Sequence, residues 1–265
     1  MLKDNLSRYE FKFPISYDDM DRLMDDLIPY VKSDKHVNEY GIYTISSLYM
    51  ENDCKDCYYE TINGDPFRQK VRLRVYGKQA FKDSDAFLEL KNKINGLVVK
   101  RRINMKLSDA VNFMNDCAKN GNSAKIESYK NADSQILKEI RQVIATKKLK
   151  PAVIVSYERL PLVAIDDESL RITFDFNLRS RSDALDQTEG TGGLRRCPKN
   201  VAILEIKTNK PLPYWLTKIL AKYNYRNQTF SKYCSHYSPM RILSDIKIDN
   251  EGDTDNDKHI HTKFN

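Results

Sequence analysis

Hydrophobic and polar residues alternate with a period of two along much of this chain, the pattern of strands with one apolar and one polar face. At 69–76, Gln69, Val71, Leu73 and Val75 alternate with Lys70, Arg72, Arg74 and Tyr76. The pattern recurs at 86–94, where Leu88 and Leu90 oppose Glu89, Lys91 and Lys93. At 170–176 it sets Ile172, Phe174 and Phe176 against Arg171, Thr173 and Asp175. Segments 9–13, 43–50, 97–105, 152–159 and 201–207 are rich in β-branched and aromatic residues and are also expected as strands. Asn95-Gly96 predicts a two-residue hairpin turn, and Asn63-Gly64 a second turn.

Four segments carry the helical period instead. Ser16 with Asp19 resembles an N-terminal cap, followed by Met20, Leu23, Met24 and Leu27. Ser108 is expected to cap 109–119, which stops near Gly121. Segment 133–147 ends before Pro151, and 212–223 follows Pro211 and Pro213, with Trp215 as a core residue bracing one end of the sheet. The stretch 180–199 lacks any apolar period and is expected to be a mobile loop. The tail 245–265 is polar and expected to be disordered. Strands spread over the whole chain predict one α+β domain at 1–244, an antiparallel β-barrel with helices packed outside and at one end.

The charges within the strands change this picture most. Arg68, Lys70, Arg72 and Arg74 share one face, as do Glu89, Lys91 and Lys93, and then Lys100 and Arg102. Tyr157 with Arg159, Arg171 with Thr173 and Asp175, Glu205 with Lys207, and Glu10 with Lys12 repeat the arrangement. Singly, each row reads as the wet face of an ordinary antiparallel strand. As a set they are mostly Arg and Lys, and helices over the apolar faces would turn them inward. Like charges converging in a lumen are stable only with a counter-charge, a polyanion or a metal. Guanidinium groups grip phosphate oxygens bidentately and lysines act as point charges. Phosphoryl transfer itself asks mainly for positioning and charge neutralisation. Among the strand carboxylates, Glu205 is the natural ligand for Mg²⁺ or Mn²⁺, which take oxygen donors.

Composition narrows the alternatives. The chain has 265 residues, 44 Lys and Arg against 37 Asp and Glu, and a net charge of +7. The tail holds six acids and three lysines, so residues 1–244 carry +10. No G-x-x-x-x-G-K-[ST] or G-x-G-x-x-G loop occurs, so any phosphate must be held by side chains. No apolar run is long enough to span a bilayer, and the start MLKDNLSRYEFKF lacks a signal core, which predicts a cytoplasmic protein. Five cysteines fit reduced thiols; Cys54-x-x-Cys57 lacks the second ligand pair of a zinc site. Nucleic-acid binding is disfavoured, because the cations lie in strands without interleaved stacking aromatics.

Seven blocks then carry a family likeness: R-Y-E-F-K-F at 8–13, V-R-L-R-V-Y-G at 71–77, F-L-E-L-K-N-K-I-N-G-L-V-V-K-R-R at 87–102, V-S-Y-E-R at 155–159, L-R-I-T-F-D at 170–175, I-L-E-I-K at 203–207 and F-S-K-Y at 230–233. Over residues 7–236 the chain resembles the VTC domain, the catalytic domain of vacuolar transporter chaperone polyphosphate polymerases in the triphosphate tunnel metalloenzyme superfamily. It is most similar to the free-standing bacterial members. The resemblance implies a tunnel that binds ATP and adds its γ-phosphoryl to a polyphosphate chain, or to orthophosphate or pyrophosphate as primer, with Mn²⁺ or Mg²⁺. Lys12, Arg72, Arg74, Lys91, Lys100, Arg102, Tyr157, Arg159, Arg171, Ser231 and Lys232 match its phosphate-gripping positions, and Glu205 its metal-binding glutamate. Lys207 joins them from its strand row.

Two departures matter. The hydrolase branch opens with E-x-E-x-K, whereas this chain has Arg8, Glu10 and Lys12, which weakens a hydrolase or cyclase reading. Lys93 stands where eukaryotic members place a histidine. Regulatory and membrane segments of those proteins have no counterpart, so a separate membrane-protein partner is expected to supply regulation or export. The alternatives are a tripolyphosphate or nucleoside triphosphate hydrolase in the same tunnel and a non-catalytic polyphosphate-binding module.

Overall fold

The structure is a computed structural model and describes residues 9–34, 37, 41–129 and 134–239. The tail 245–265 and Arg8 lie outside the described residues. The elements in order are β1 (Tyr9–Ser16), α1 (Tyr17–Leu27), β2 (Val31–Ser33), β3 (Tyr43–Glu51), α2 (Asp56–Ile62), β4 (Phe67–Tyr76), β5 (Asp85–Ile94) and β6 (Leu97–Lys106). They continue with α3 (Leu107–Asn120), α4 (Gln135–Lys147), β7 (Lys150–Ala164), β8 (Arg171–Arg181), β9 (Leu194–Arg195), β10 (Val201–Thr208) and α5 (Tyr214–Lys222).

All the strands join one antiparallel sheet in the order β1-β10-β8-β7-β3-β4-β5-β6, with β2 on β7 and β9 on β8. The β5–β6 turn is the expected one, with Asn95 and Gly96 both at positive φ. Asn63-Gly64 is likewise a turn, the one that ends α2, a helix too short to show a period: the Asn63 N–H donates to the Tyr59 carbonyl and Gly64 takes φ +76°. Ser16 caps α1 by accepting from the Asp19 N–H at 3.0 Å. Ser108 does not cap α3. The loop carbonyls of Ser84 and Lys82 accept from the Leu107 and Ser108 N–H groups, and the helix starts two residues earlier than expected, at Leu107.

Two apolar cores lie outside the charged face. Leu23, Met24 and Leu27 of α1 and Leu216 of α5 pack with Phe13, Phe174, Leu204 and Ile206 of the sheet. Phe113 and Met114 of α3 and Ile140 and Ile144 of α4 pack with Val71, Leu73, Leu88 and Leu90. Each such side chain contributes about 1.5–3 kcal/mol of burial, enough to hold the helices on the outer surface. Trp215 is only half-buried, stacked on Tyr30 at 4.5 Å; Leu216 is the core residue of α5.

The expected closed barrel is not closed by a ladder. Among the described residues β1 and β6, the two ends of the path, exchange no strand pairing. The free edge of β1 is taken elsewhere. The Lys12 N–H donates to Asn227 Oδ1 and the Gln228 N–H donates to the Lys12 carbonyl, so the segment after α5 occupies the edge. The sheet nevertheless curls. Lys91 on β5 feels Glu10 and Lys12 on β1, at the opposite end of the strand order. Segment 180–199 is not one continuous loop: β8 runs on to Arg181 and Leu194–Arg195 pair with it as β9, while Arg181 gathers the stretch between by donating to the carbonyls of Ala184, Asp186, Gly190 and Gly192.

Candidate active site

Register decides which side chains share the concave face. Directly opposed residues of an antiparallel pair lie on the same side of the sheet. Lys12 opposes Glu205, Glu205 opposes Thr173, and Asp175 opposes Arg159. Arg159 opposes Tyr43, and Tyr49 opposes Arg72. Arg72 then opposes Glu89, which opposes Arg102, while Lys91 opposes Lys100. Every strand residue singled out from the sequence therefore lies on one continuous face.

The side chains gather around buried carboxylates. Glu205 is 4% exposed and sits among four cations: Arg159 at 3.1 Å, Lys207 at 3.2 Å, Lys232 at 3.6 Å and Lys12 at 3.8 Å. Asp175, fully buried, shares two of them, Arg159 at 2.6 Å and Lys232 at 2.5 Å. Burial opposes the charge of Glu205, yet Lys207, Lys232 and Lys12 hold its carboxyl well below the usual range. Lys232 comes from the segment after α5, and its pKa is raised: burial works against its charge, and the two carboxylates overcome it.

A second group surrounds Glu89 of β5, which is fully buried with Arg72 at 2.6 Å and Lys100 at 3.3 Å. Against the cost of burial, Arg72, Arg74 and Lys100 bring Glu89 down to about 2. Arg72 also donates to the Tyr49 hydroxyl at 3.0 Å, and Arg74 to Ser47 Oγ at 3.1 Å and the Tyr157 hydroxyl at 3.5 Å. Tyr157 lies under both Lys232 at 4.9 Å and Arg159 at 5.4 Å. Between the two groups, Lys91 has no ion-pair partner among the described residues, and burial with the neighbouring Lys12 and Arg72 lowers it to about 7.

The remaining predicted residues lie further out. Arg171 opposes Lys207 on the same face and is exposed at its rim. Arg102 is exposed, its guanidinium 4.7 Å above the Phe87 ring. Ser231 serves the backbone, its Oγ accepting from the Cys234 N–H at 3.3 Å, and so shapes the turn that carries Lys232.

A VTC domain family model matches residues 7–241. The chain belongs to the VTC domain family. The fold is similar to that of a candidate adenylate cyclase from Bacillus halodurans, a tunnel fold, with a TM-score of 0.51 at 12% identity over 88% of this chain and 99% of the other. At that identity the likeness shows the fold alone.

The tunnel metalloenzyme fold of this VTC domain implies a divalent metal. Among the described residues no three Asp, Glu, His or Cys side chains gather to hold one. Glu205 has Glu10 within hydrogen-bonding reach, and both face the Lys12 ammonium. Such an oxygen-donor pair fits an ion that one or two carboxylates hold while substrate phosphates complete its shell. No helix of the described residues is long and apolar enough to cross a membrane.

Four contributors escaped the sequence reading as site residues. Glu89 and Asp175 were visible only as lone acids in basic rows; their complete burial is what makes them the counter-charges. Tyr43 and Tyr49 sit in a strand whose burial on both faces hides its lumen side. The Cys54 and Cys57 thiols are free, and burial pushes Cys57 up to about 12, which leaves it a packed thiol.

Proposed function

We propose that this protein is an ATP–polyphosphate phosphotransferase acting in the cytoplasm. The observation that carries the reading is the Glu205–Asp175 centre, where cations from β1, β7, β10 and the segment after α5 converge on one face. Four carboxylates (Glu10, Glu89, Asp175 and Glu205) offset only part of the charge of Lys12, Arg72, Arg74, Lys91, Lys100, Arg159, Lys207 and Lys232. The surplus matches a chain of phosphates. Arg72, Arg74 and Arg159, rigid on strands and buried, orient the triphosphate and neutralise its equatorial oxygens as charge develops there. Lys12, Lys207 and Lys232 exchange their contacts with Glu205 for phosphate oxygens. The attacking oxygen of orthophosphate, pyrophosphate or an existing chain is already anionic, so no protein nucleophile or general base is required. Glu205, with Glu10, would hold the Mn²⁺ or Mg²⁺, which supplies charge neutralisation on the transferred group.

The test is purified protein with ATP and Mn²⁺, with polyphosphate resolved on a gel and nucleotide products measured separately. Polymer and ADP appearing together are expected. ADP with orthophosphate and no polymer would mark a hydrolase, and pyrophosphate with a cyclic nucleotide would mark a cyclase. Retained polyphosphate binding without any product would mark a binding module. Glu205→Gln is expected to abolish turnover while leaving metal-free triphosphate binding intact, whereas Arg72→Ala weakens that binding itself.

A further inference from the structure

Beside the charged face lies a cavity of about 410 Å³ that phosphate chemistry does not use. Its size falls within the roughly 300–1,000 Å³ of small-molecule sites. Val37 and Ile42 give it an apolar side, Tyr43 and Tyr76 an aromatic one, and Lys78 a cation. The Gly77 N–H donates to the Thr44 carbonyl at 2.9 Å, with Gly77 at φ +105°, which fixes β3 against the end of β4 here.

The aromatic side continues as a ladder across three strands. Tyr43 and Tyr76 meet edge to face at 5.6 Å, Tyr76 and Phe87 at 5.8 Å, and Phe87 carries Arg102. An edge-to-face contact uses the edge of one ring and the face of the other, and with both contacts made Tyr76 is still 40% exposed. The ladder adjoins the phosphate machinery directly. Tyr43 opposes Arg159 in register, so the two side chains share a face one strand spacing apart. Its hydroxyl, raised by burial to about 12, also lies in the field of Arg159, Tyr157 and Asp175.

We propose that this cavity is a nucleobase subsite: the base of a nucleoside triphosphate packs against the exposed part of the Tyr76 ring, with Val37 and Ile42 along its edge. The phosphates then pass Tyr43 to Arg159 and Lys232. An inorganic phosphate chain has no use for an aromatic surface, whereas every base has a π-face to stack. The subsite rests on the phosphotransferase reading of the lumen and deepens it: ATP is chosen by its base as well as by its triphosphate. The aromatics end the basic rows: Tyr76 follows Arg74 on β4, and Phe87, opposite Arg74, precedes Glu89 on β5.

The experiment is calorimetric titration of ATP and of inorganic tripolyphosphate into wild type, Tyr76→Ala and Tyr76→Phe, without metal and with the fold checked by circular dichroism. In wild type ATP binds more tightly than tripolyphosphate. Stacking energies predict about a 10-fold loss of ATP affinity in Tyr76→Ala, unchanged tripolyphosphate affinity, and retention of ATP affinity in Tyr76→Phe. Unchanged ATP affinity in Tyr76→Ala overturns the subsite, and so does an equal loss for both ligands, which marks a structural role. Wild type that binds neither ligand overturns the phosphotransferase reading instead. Wild type that binds tripolyphosphate at least as tightly as ATP overturns the subsite alone.

Discussion

Lys91 faces Glu10, Lys12, Arg72 and Glu205 and pairs with none of them. With a pKa near 7, lowered by burial and by neighbouring cations, it is largely neutral in mildly alkaline solution. A bound polyanion favours the ammonium and raises that pKa. The complex then holds more protons than the free protein above pH 7, so affinity falls as pH rises through this window. Below about pH 7 the lysine is charged in both states and contributes no pH dependence. Lys100, lowered to about 8 by burial and by Arg102 and Arg72, adds a shallower dependence of the same sign. Tripolyphosphate titrations from pH 7 to 9, in buffers of different ionisation enthalpy, should therefore show weakening affinity and proton uptake. Lys91→Arg, charged throughout, should flatten the profile; an unaltered slope in that variant would remove Lys91 from the phosphate path.

At the scale of elements, a single buried carboxylate ties the lumen to its surroundings. Glu51 at the end of β3 accepts from the Asn52 and Cys57 N–H groups on Oε1 and from the Tyr58 N–H on Oε2. The Tyr233 hydroxyl donates to the same Oε2. Helix α2 and the turn carrying Lys232 are thus locked to one strand end, which fixes Lys232 against Asp175. Tyr233→Phe leaves a buried carboxylate short of a donor, a cost of about 1–3 kcal/mol. The expected result is lower thermal stability together with weaker tripolyphosphate binding, as Lys232 loses its anchor. A variant destabilised to that extent but with unchanged binding would show that the turn is held without Tyr233. None of this was legible in the sequence. Glu51 and Tyr233 are 182 residues apart, and α2 is too short to declare itself. The eight long strands were legible: most pair an apolar outer row with a charged inner one, and β3, buried on both faces, declares itself by its β-branched and aromatic residues. The fate of the barrel seam was not, since side-chain alternation says nothing about which backbone reaches the edge of β1.

For the molecule as a whole, an open seam and a surplus of inward-facing cations have one consequence. The lumen is strained by like charge until an anion enters, so a fitting anion should stabilise the entire fold. A ligand held at 100 times its dissociation constant adds about 2.7 kcal/mol. For a domain of this size that corresponds to a rise in Tm of roughly 5–10 °C. A net charge of +7 could also act as a sticky outer surface, and the two readings separate by shape. A flexible phosphate chain can follow the inward-facing rows to Arg159 and Glu205, whereas a rigid nucleic-acid duplex of equal charge can touch only exposed cations such as Arg171. Thermal melts with tripolyphosphate, longer polyphosphate and a short DNA duplex decide the matter. Both phosphate chains should raise Tm by several degrees and the duplex by far less, with the difference persisting at 0.15 M salt, where charges exposed to solvent are screened beyond about 8 Å. Equal stabilisation by the duplex would place the functional charge on the outside of the sheet.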